Sequence, residues 1–183
     1  MKKYFLMIVA VLLFTCGCDS MMNTPTKRVE EFLNKYQRHD SEVLNQLDNV
    51  VKETEAEYEF TTDQMNSYKD LIKKQYKDLT YTIKEETIDG NNATVTVEIE
   101  VYDYNKALVE AENYYKANAD KFKNQEGELD ASKYMDYKIE QLKNVNDKIK
   151  YTLNLTLTKS DKKWILNDLT EADRQKIHGL YNS

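Results

Sequence analysis

Apolar residues recur along this 183-residue chain with one of two periods, and the changes of period mark out its elements. Thr24-Pro25 reads as a helix start, with Thr as cap and Pro at the first helical position. Val29, Phe32, Leu33 and Tyr36 follow at helical spacing, and Gln37 to Asp40 interrupts the stripe. Ser41 then caps a second helix carrying Val43, Leu44, Leu47, Val50 and Val51, while residues 53–59 read as an acidic, weakly patterned connector. Thr61-Thr62-Asp63-Gln64 has capping-box spacing and opens a third helix with Met65, Tyr68, Leu71, Ile72 and Tyr76.

The period then falls to two. Leu79, Tyr81 and Ile83 alternate with polar residues and lead into Asp89-Gly90-Asn91-Asn92, a hairpin signal. Ala93, Val95, Val97, Ile99 and Val101 alternate with Thr94, Thr96, Glu98, Glu100 and Tyr102, which predicts an antiparallel strand with one buried face. A helical pair follows, from Asn105 to about Phe122 and from Asp130 to about Val145, separated by a break at Asn124 to Glu128. Tyr151, Leu153, Leu155 and Leu157 alternate again, a polar turn at Lys159 to Lys163 leads into Trp164-Ile165-Leu166, and Thr170 to Tyr181 predicts a closing helix. Hairpins with segregated helices define an α+β domain. About four strands form its antiparallel sheet, packed against the N-terminal helices, with a two-helix insertion between strands two and three.

The first eighteen residues follow a different pattern. Lys2-Lys3 precedes an apolar run from Tyr4 to Phe14, which ends in Thr15-Cys16-Gly17-Cys18. Charged start, short apolar stretch and small residue before a cut together predict an export signal. The run is too short for a span, which needs about 20 apolar residues. Gly17-Cys18 resembles the lipobox of bacterial lipoproteins. That resemblance implies cleavage after residue 17 and acyl chains, palmitate among them, on Cys18. Cys16, with Leu13 three residues before it, is the alternative attachment site. Residues 18–23 then form a tether reaching about 20 Å, and residues 24–183 form a single domain close to the membrane.

The same signal changes what the composition means. Both cysteines of the chain lie in it, so the mature domain is expected to lack disulfides, thiolate metal sites and a cysteine nucleophile. Losing Lys2 and Lys3 lowers the formal charge from −6 to −8, since 24 Lys and Arg then face 32 Asp and Glu. An acidic surface of this kind argues against nucleic acid, whose phosphates need clustered cations. The abundance of Lys, Asn, Tyr and Ile fits an AT-rich genome and leans towards a Gram-positive source.

The run Leu79-Thr80-Tyr81-Thr82-Ile83-Lys84, the hairpin Asp89 to Val97 and the closing Asp161-Lys162-Lys163-Trp164-Ile165-Leu166 resemble small bacterial lipoproteins with an NTF2-like (cystatin-like) domain. The resemblance covers about residues 24–170. It implies a curved sheet wrapped around helices, making a cone with a cavity at its wide end. The insertion after strand two departs from that pattern and could fill or cap the cone.

Candidate chemistry is sparse. His39 lies in a polar linker and His178 near the C-terminus, neither at ligand spacing such as HExxH. Glu53, Glu55, Glu57 and Glu59 lack the glycine-containing loop that wraps calcium. The inward strand positions are apolar, with Glu98 and Glu100 on the other face, so no acid or base is placed for proton transfer. No metal, cofactor or catalytic residue is therefore expected. Tyr102, Tyr104, Tyr114, Tyr115, Tyr134 and Tyr137 gather around the insertion, and rings with a polar tip suit a protein interface or glycan stacking. The expected function is a lipid-anchored, extracytoplasmic, non-enzymatic binding module of the cell envelope, with a membrane through Cys18 and an envelope protein or glycan as partners. The alternative is an NTF2-like small-molecule enzyme, of isomerase or hydrolase type, using the cone cavity.

Overall fold

The computed structural model describes residues 23–58 and 61–182. Cys16, Cys18 and the stretch expected to be an export signal lie outside these residues. Helices α1 (Pro25–Gln37), α2 (Ser41–Tyr58) and α3 (Thr62–Asp78) precede strands β1 (Thr80–Asp89) and β2 (Asn92–Tyr102). Helix α4 (Tyr104–Ala117), a 3₁₀ turn at Ala119–Phe122 and helix α5 (Ala131–Lys143) form the insertion. Strands β3 (Lys148–Ser160) and β4 (Lys163–Leu166) and helix α6 (Glu171–His178) complete the fold. The four strands make one open antiparallel sheet in the order β1-β2-β3-β4. The α+β class and the place of the insertion are as the patterning predicts.

Local chemistry explains most boundaries. The Thr24 side chain accepts from the Lys27 amide with Pro25 at the first turn, and Thr61 and Gln64 form both halves of the capping box. Helix α2 departs from the expectation of a connector, because it runs on to Tyr58. Residues 52–57 are Lys-Glu-Thr-Glu-Ala-Glu, and Glu, Lys and Ala sustain a helix on backbone propensity without an apolar stripe. Leu79 is another departure: it ends α3 as its buried C-terminal cap instead of opening β1.

The β1–β2 turn has positive φ at its first central residue, Gly90, as a type II′ turn requires. The β3–β4 turn has positive φ at both Asp161 and Lys162, the type I′ pattern, here built without glycine. Asn92 pairs with both Asp89 and Thr158, so the two turns share one end of the sheet. Lys159 donates its amide to the Asn91 carbonyl (2.8 Å) and ties them together.

Pairing along β2 sets Val95 opposite Leu155 and Val97 opposite Leu153, and all four side chains are buried. Helices α1, α3 and α6 cover this inner face, while the outer face carries Thr94, Thr96, Glu98 and Asn154 towards water. On that wet face Glu98 sits between Lys84 (3.3 Å) and Lys150 (3.2 Å). The two lysines hold its carboxyl below the ordinary range, with the Lys150 hydrogen bond the larger cause.

A bulge at Lys84 shifts the β1 register: Ile83 faces Val97, but Glu85 faces Thr96. One extra residue reverses which side chains point inward. Tyr81 and Ile83 stand on the inner face before it, Glu86 and Ile88 after it. The Glu86 carboxylate thereby accepts from the Thr26 amide (2.8 Å), one of the open donors in the first turn of α1.

The insertion does not lie on the sheet. It docks along α3, and its anchors are specific. Tyr104, almost fully buried, donates its hydroxyl to the Leu71 carbonyl (3.1 Å). Gln64 donates to Ser132 and to Asp136 (2.8 Å) at the start of α5. What fills the inner face of the sheet is α1, α3 and α6, with Val29, Leu33, Ile72 and Ile177 at most 1% exposed.

Candidate functional site

Four of the six tyrosines singled out by sequence come together, and Phe122 is their hub. The 3₁₀ turn after α4 drives this ring to 4% exposure. Tyr115, Tyr137, Tyr134 and Tyr114 surround it at centroid distances of 5.6, 5.4, 5.5 and 6.3 Å. Tyr114 stacks on Tyr137 (5.1 Å), and Tyr115 lies against Tyr134 (4.5 Å). These spacings are those of favourable aromatic pairs, and they bind α4, the turn and α5 into one unit. In the sequence Phe122 marks only the approximate end of the first inserted helix, and nothing there signals that it centres the cluster.

Tyr102 and Tyr104 do not belong to this group. They stack on each other (6.0 Å) at the far end of β2. Tyr102 donates its hydroxyl to Asp78 (2.9 Å), and Tyr104 is fixed beneath α3. Both are structural side chains at the junction of sheet and insertion.

The chemistry of the four-tyrosine cluster is that of a covered aromatic patch. Lys138 lies 4.2 Å from the centre of the Tyr134 ring and Lys121 lies 5.0 Å from that of Tyr114. The first is a cation–π distance, so an intramolecular lysine already occupies a ring face that a sugar would need, whereas Lys121 lies beyond the Tyr114 hydroxyl and not over the ring. Tyr134 donates to the Glu112 carboxylate (2.5 Å). Burial, followed by that bond, raises the phenol above its usual range, while the bond lowers Glu112. Tyr114 remains the most open ring of the four, at 37% exposure. With Lys121 bonded to its hydroxyl (2.7 Å), it offers an aromatic and cationic edge of the kind enriched at protein interfaces.

A second concave feature, which sequence reading missed, lies between α1, α2 and the β4–α6 connection. It is a cleft of about 510 Å³ lined by Arg28, Phe32, Lys35, Glu42 and Arg174, among others. The Arg28 Nε is shielded from solvent and has no hydrogen-bond partner among the described residues. The other cationic groups are matched locally. Arg28 Nη1 meets Glu31 (2.8 Å), Lys35 meets Glu42 (2.6 Å) and Arg174 meets Glu171 (3.3 Å). With each cation beside a carboxylate, the cleft holds no surplus positive charge for an anion.

Both histidines act as structural groups. His39 takes the left-handed conformation just past α1 (φ +53°) and bonds the Lys73 carbonyl (2.8 Å), pinning the α1–α2 corner to α3. His178 sits against Tyr76, its Nε2 2.8 Å from the phenol oxygen. Burial lowers its pKa from 6.5 to about 4. The ring is therefore neutral in the fold at pH 7, while the unfolded chain takes up the proton near pH 6.5. Stability tied to His178 is complete above pH 6.5 and falls as pH drops towards 4. Urea titrations should show a loss of about 2 kcal/mol between pH 7 and pH 4.5 that His178→Gln lacks.

Among the described residues no group of three or more His, Cys, Asp or Glu could hold a metal ion. Among them, too, no helix is long and apolar enough to cross a membrane.

No family model matches this chain, and no curated protein matches it. Among solved structures it is similar to a "putative lipoprotein" (ycdA) from Bacillus subtilis, with 13% identity and a TM-score of 0.46. The match covers 78% of this chain and 47% of the other, so the chain spans about half the length of that protein. A likeness at this level carries no argument for fold or function.

Proposed function

We propose that this protein is a lipid-anchored, extracytoplasmic module of the bacterial cell envelope that works by binding instead of catalysis. The observation that carries the reading is the spacing of leader and fold. Gly17-Cys18 closes a short apolar run, and Asn23, only five residues on, is bonded into the fold through Lys162 and Trp164. Three N-terminal helices beside a four-stranded antiparallel sheet support a relation to NTF2-like domains. The non-catalytic part of the proposal is supported by an inner sheet face packed with Val95, Val97, Leu153 and Leu155, where a cone enzyme needs an open pocket with a few convergent polar groups. The open edge at Tyr114 and Lys121 is the surface offered to an envelope protein.

Fractionation of the producing bacterium tests the anchor. The wild-type chain should sediment with membranes and take up a labelled fatty acid. Cys18→Ala should lose both, with at least a tenfold shift into the soluble fraction, on the order expected when acyl chains are removed. Retention and labelling of Cys18→Ala that vanish only when Cys16 is also replaced would move the site to Cys16.

A further inference from the structure

We propose that the end of the sheet carrying both hairpin turns is the surface that lies on the phospholipid headgroups. This rests on the reading of Cys18 as the lipidated residue. The evidence is what Asn23, five residues past Cys18, bonds to. Asn23 donates its side-chain amide to the Lys162 carbonyl (2.5 Å) and accepts from the Trp164 amide (3.3 Å). The start of the domain is thus fastened to the β3–β4 turn, and the β1–β2 turn lies beside it.

Length decides the orientation. Five residues separate Cys18 from Asn23, and at ~3.6 Å per extended residue they reach about 18 Å. The 11 residues of β2 extend roughly 35 Å at ~3.3 Å each, from the turns to the end at Tyr102 and Lys148. If that far end faced the bilayer, Asn23 would stand about twice the tether's reach above it. The far end is excluded.

Charge separates an upright domain from one lying on its helices. The turns and their flanks carry Lys159, Lys162 and Lys163 against Asp89, Asp161 and Glu86, a balance of zero. The formal −8 of the mature chain therefore belongs wholly to the rest of it. A domain laid on its helices would press that acidic remainder onto an anionic leaflet, which repels it, while the wet face of the sheet, where Lys84, Lys148, Lys150 and Lys163 stand with Glu85, Glu98 and Glu100, is told apart from the turns by a label at residue 154. Among the described residues neither Lys162 nor Lys163 is in an ion pair, so both ammonium groups are available to lipid phosphates. Ile88 and Ile165, 53% and 55% exposed, flank the turns on opposite faces of the sheet and suit the headgroup boundary.

The test uses the full chain, exported and purified from membranes, with one fluorophore on a single introduced cysteine. Acylation of Cys18 and loss of Cys16 with the leader leave that cysteine as the only free thiol. Labels at Asn91→Cys and Lys162→Cys report the turns, Asn146→Cys the far end and Asn154→Cys the wet face. Vesicles of phosphatidylglycerol and phosphatidylcholine carry a quencher on the headgroup. Quenching at residues 91 and 162 should exceed that at 146 by about threefold or more, given the difference in height. Equal or stronger quenching at 146 would overturn the orientation, and quenching at 154 equal to that at 162 would mean a domain on its side. Lys162→Glu with Lys163→Glu should weaken quenching at 91 on phosphatidylglycerol but not on pure phosphatidylcholine. An unchanged signal there would overturn the role of the lysines. Chain recovered without acyl groups would instead sink the anchor reading, and this proposal with it.

Discussion

Replacing Gly179 by Ala should destabilise the fold by at least about 3 kcal/mol and lower its melting temperature by roughly 10 °C. Gly179 closes α6 in the left-handed conformation (φ +69°), which costs an L-residue about 1 kcal/mol. Its amide bonds the Lys176 carbonyl (3.0 Å), the next amide, of Leu180, bonds Gln175 (2.8 Å), and its own carbonyl accepts from Asn105 (2.8 Å). The larger part of the effect is steric. A Cβ at this position would collide with the Tyr102 carbonyl oxygen and with the Gln75 side-chain amide. Both are held by hydrogen bonds, so neither can step aside cheaply. Thermal unfolding followed by circular dichroism measures it. Gly90→Ala is the control: positive φ is shared but the space is open, so the loss there should be about 1 kcal/mol.

Gln75→Ala should cost about 3 kcal/mol by a different route. This side chain is fully buried, and its amide clamps the last residue of β2 from both sides. It donates to the Tyr102 carbonyl (3.0 Å) and accepts from the Tyr102 amide (2.8 Å). Truncation strands a buried donor and a buried acceptor, each at about 1–3 kcal/mol. Gln75→Glu separates hydrogen bonding from packing. A carboxylate still accepts from the Tyr102 amide but cannot donate to its carbonyl, whereas the protonated acid can do both. The deficit of Gln75→Glu relative to wild type, measured at each pH by urea unfolding, should therefore shrink as pH falls. Because both positions act on Tyr102, the double variant with Gly179→Ala should lose less than the sum.

What could be read from sequence divides along the reach of the forces involved. The cap at Thr24-Pro25, the box at Thr61-Gln64 and the turn at Gly90 are local chemistry, and each stands where its residues predict. The alternation of β2 needed only that one face be covered, and Val95, Val97, Ile99 and Val101 are buried as the pattern implies. The bulge at Lys84 was not legible. Its use is tertiary: it turns Glu86 inward to serve the Thr26 amide sixty residues earlier in the chain. The helical course of residues 53–58 was hidden because it lacks an apolar stripe.

The tyrosines show the same limit. Sequence proximity grouped Tyr102 and Tyr104 with the rest, yet these two rings serve the sheet and α3. Tyr114, Tyr115, Tyr134 and Tyr137 converge because a 3₁₀ turn folds Phe122 back between α4 and α5. Nothing in the spacing of residues 114–137 specifies that turn. The cleft at Arg28 and Arg174 was invisible for a related reason, since its walls come from residues 28–46 and 165–174, segments far apart in the chain.

Intact-mass spectrometry of the protein extracted from the membranes of the bacterium that makes it tests the central claim most directly. The account predicts a chain that begins at Cys18 and carries acyl groups on that residue. A chain with a free thiol at Cys18, or one that retains residues 1–17, would contradict it.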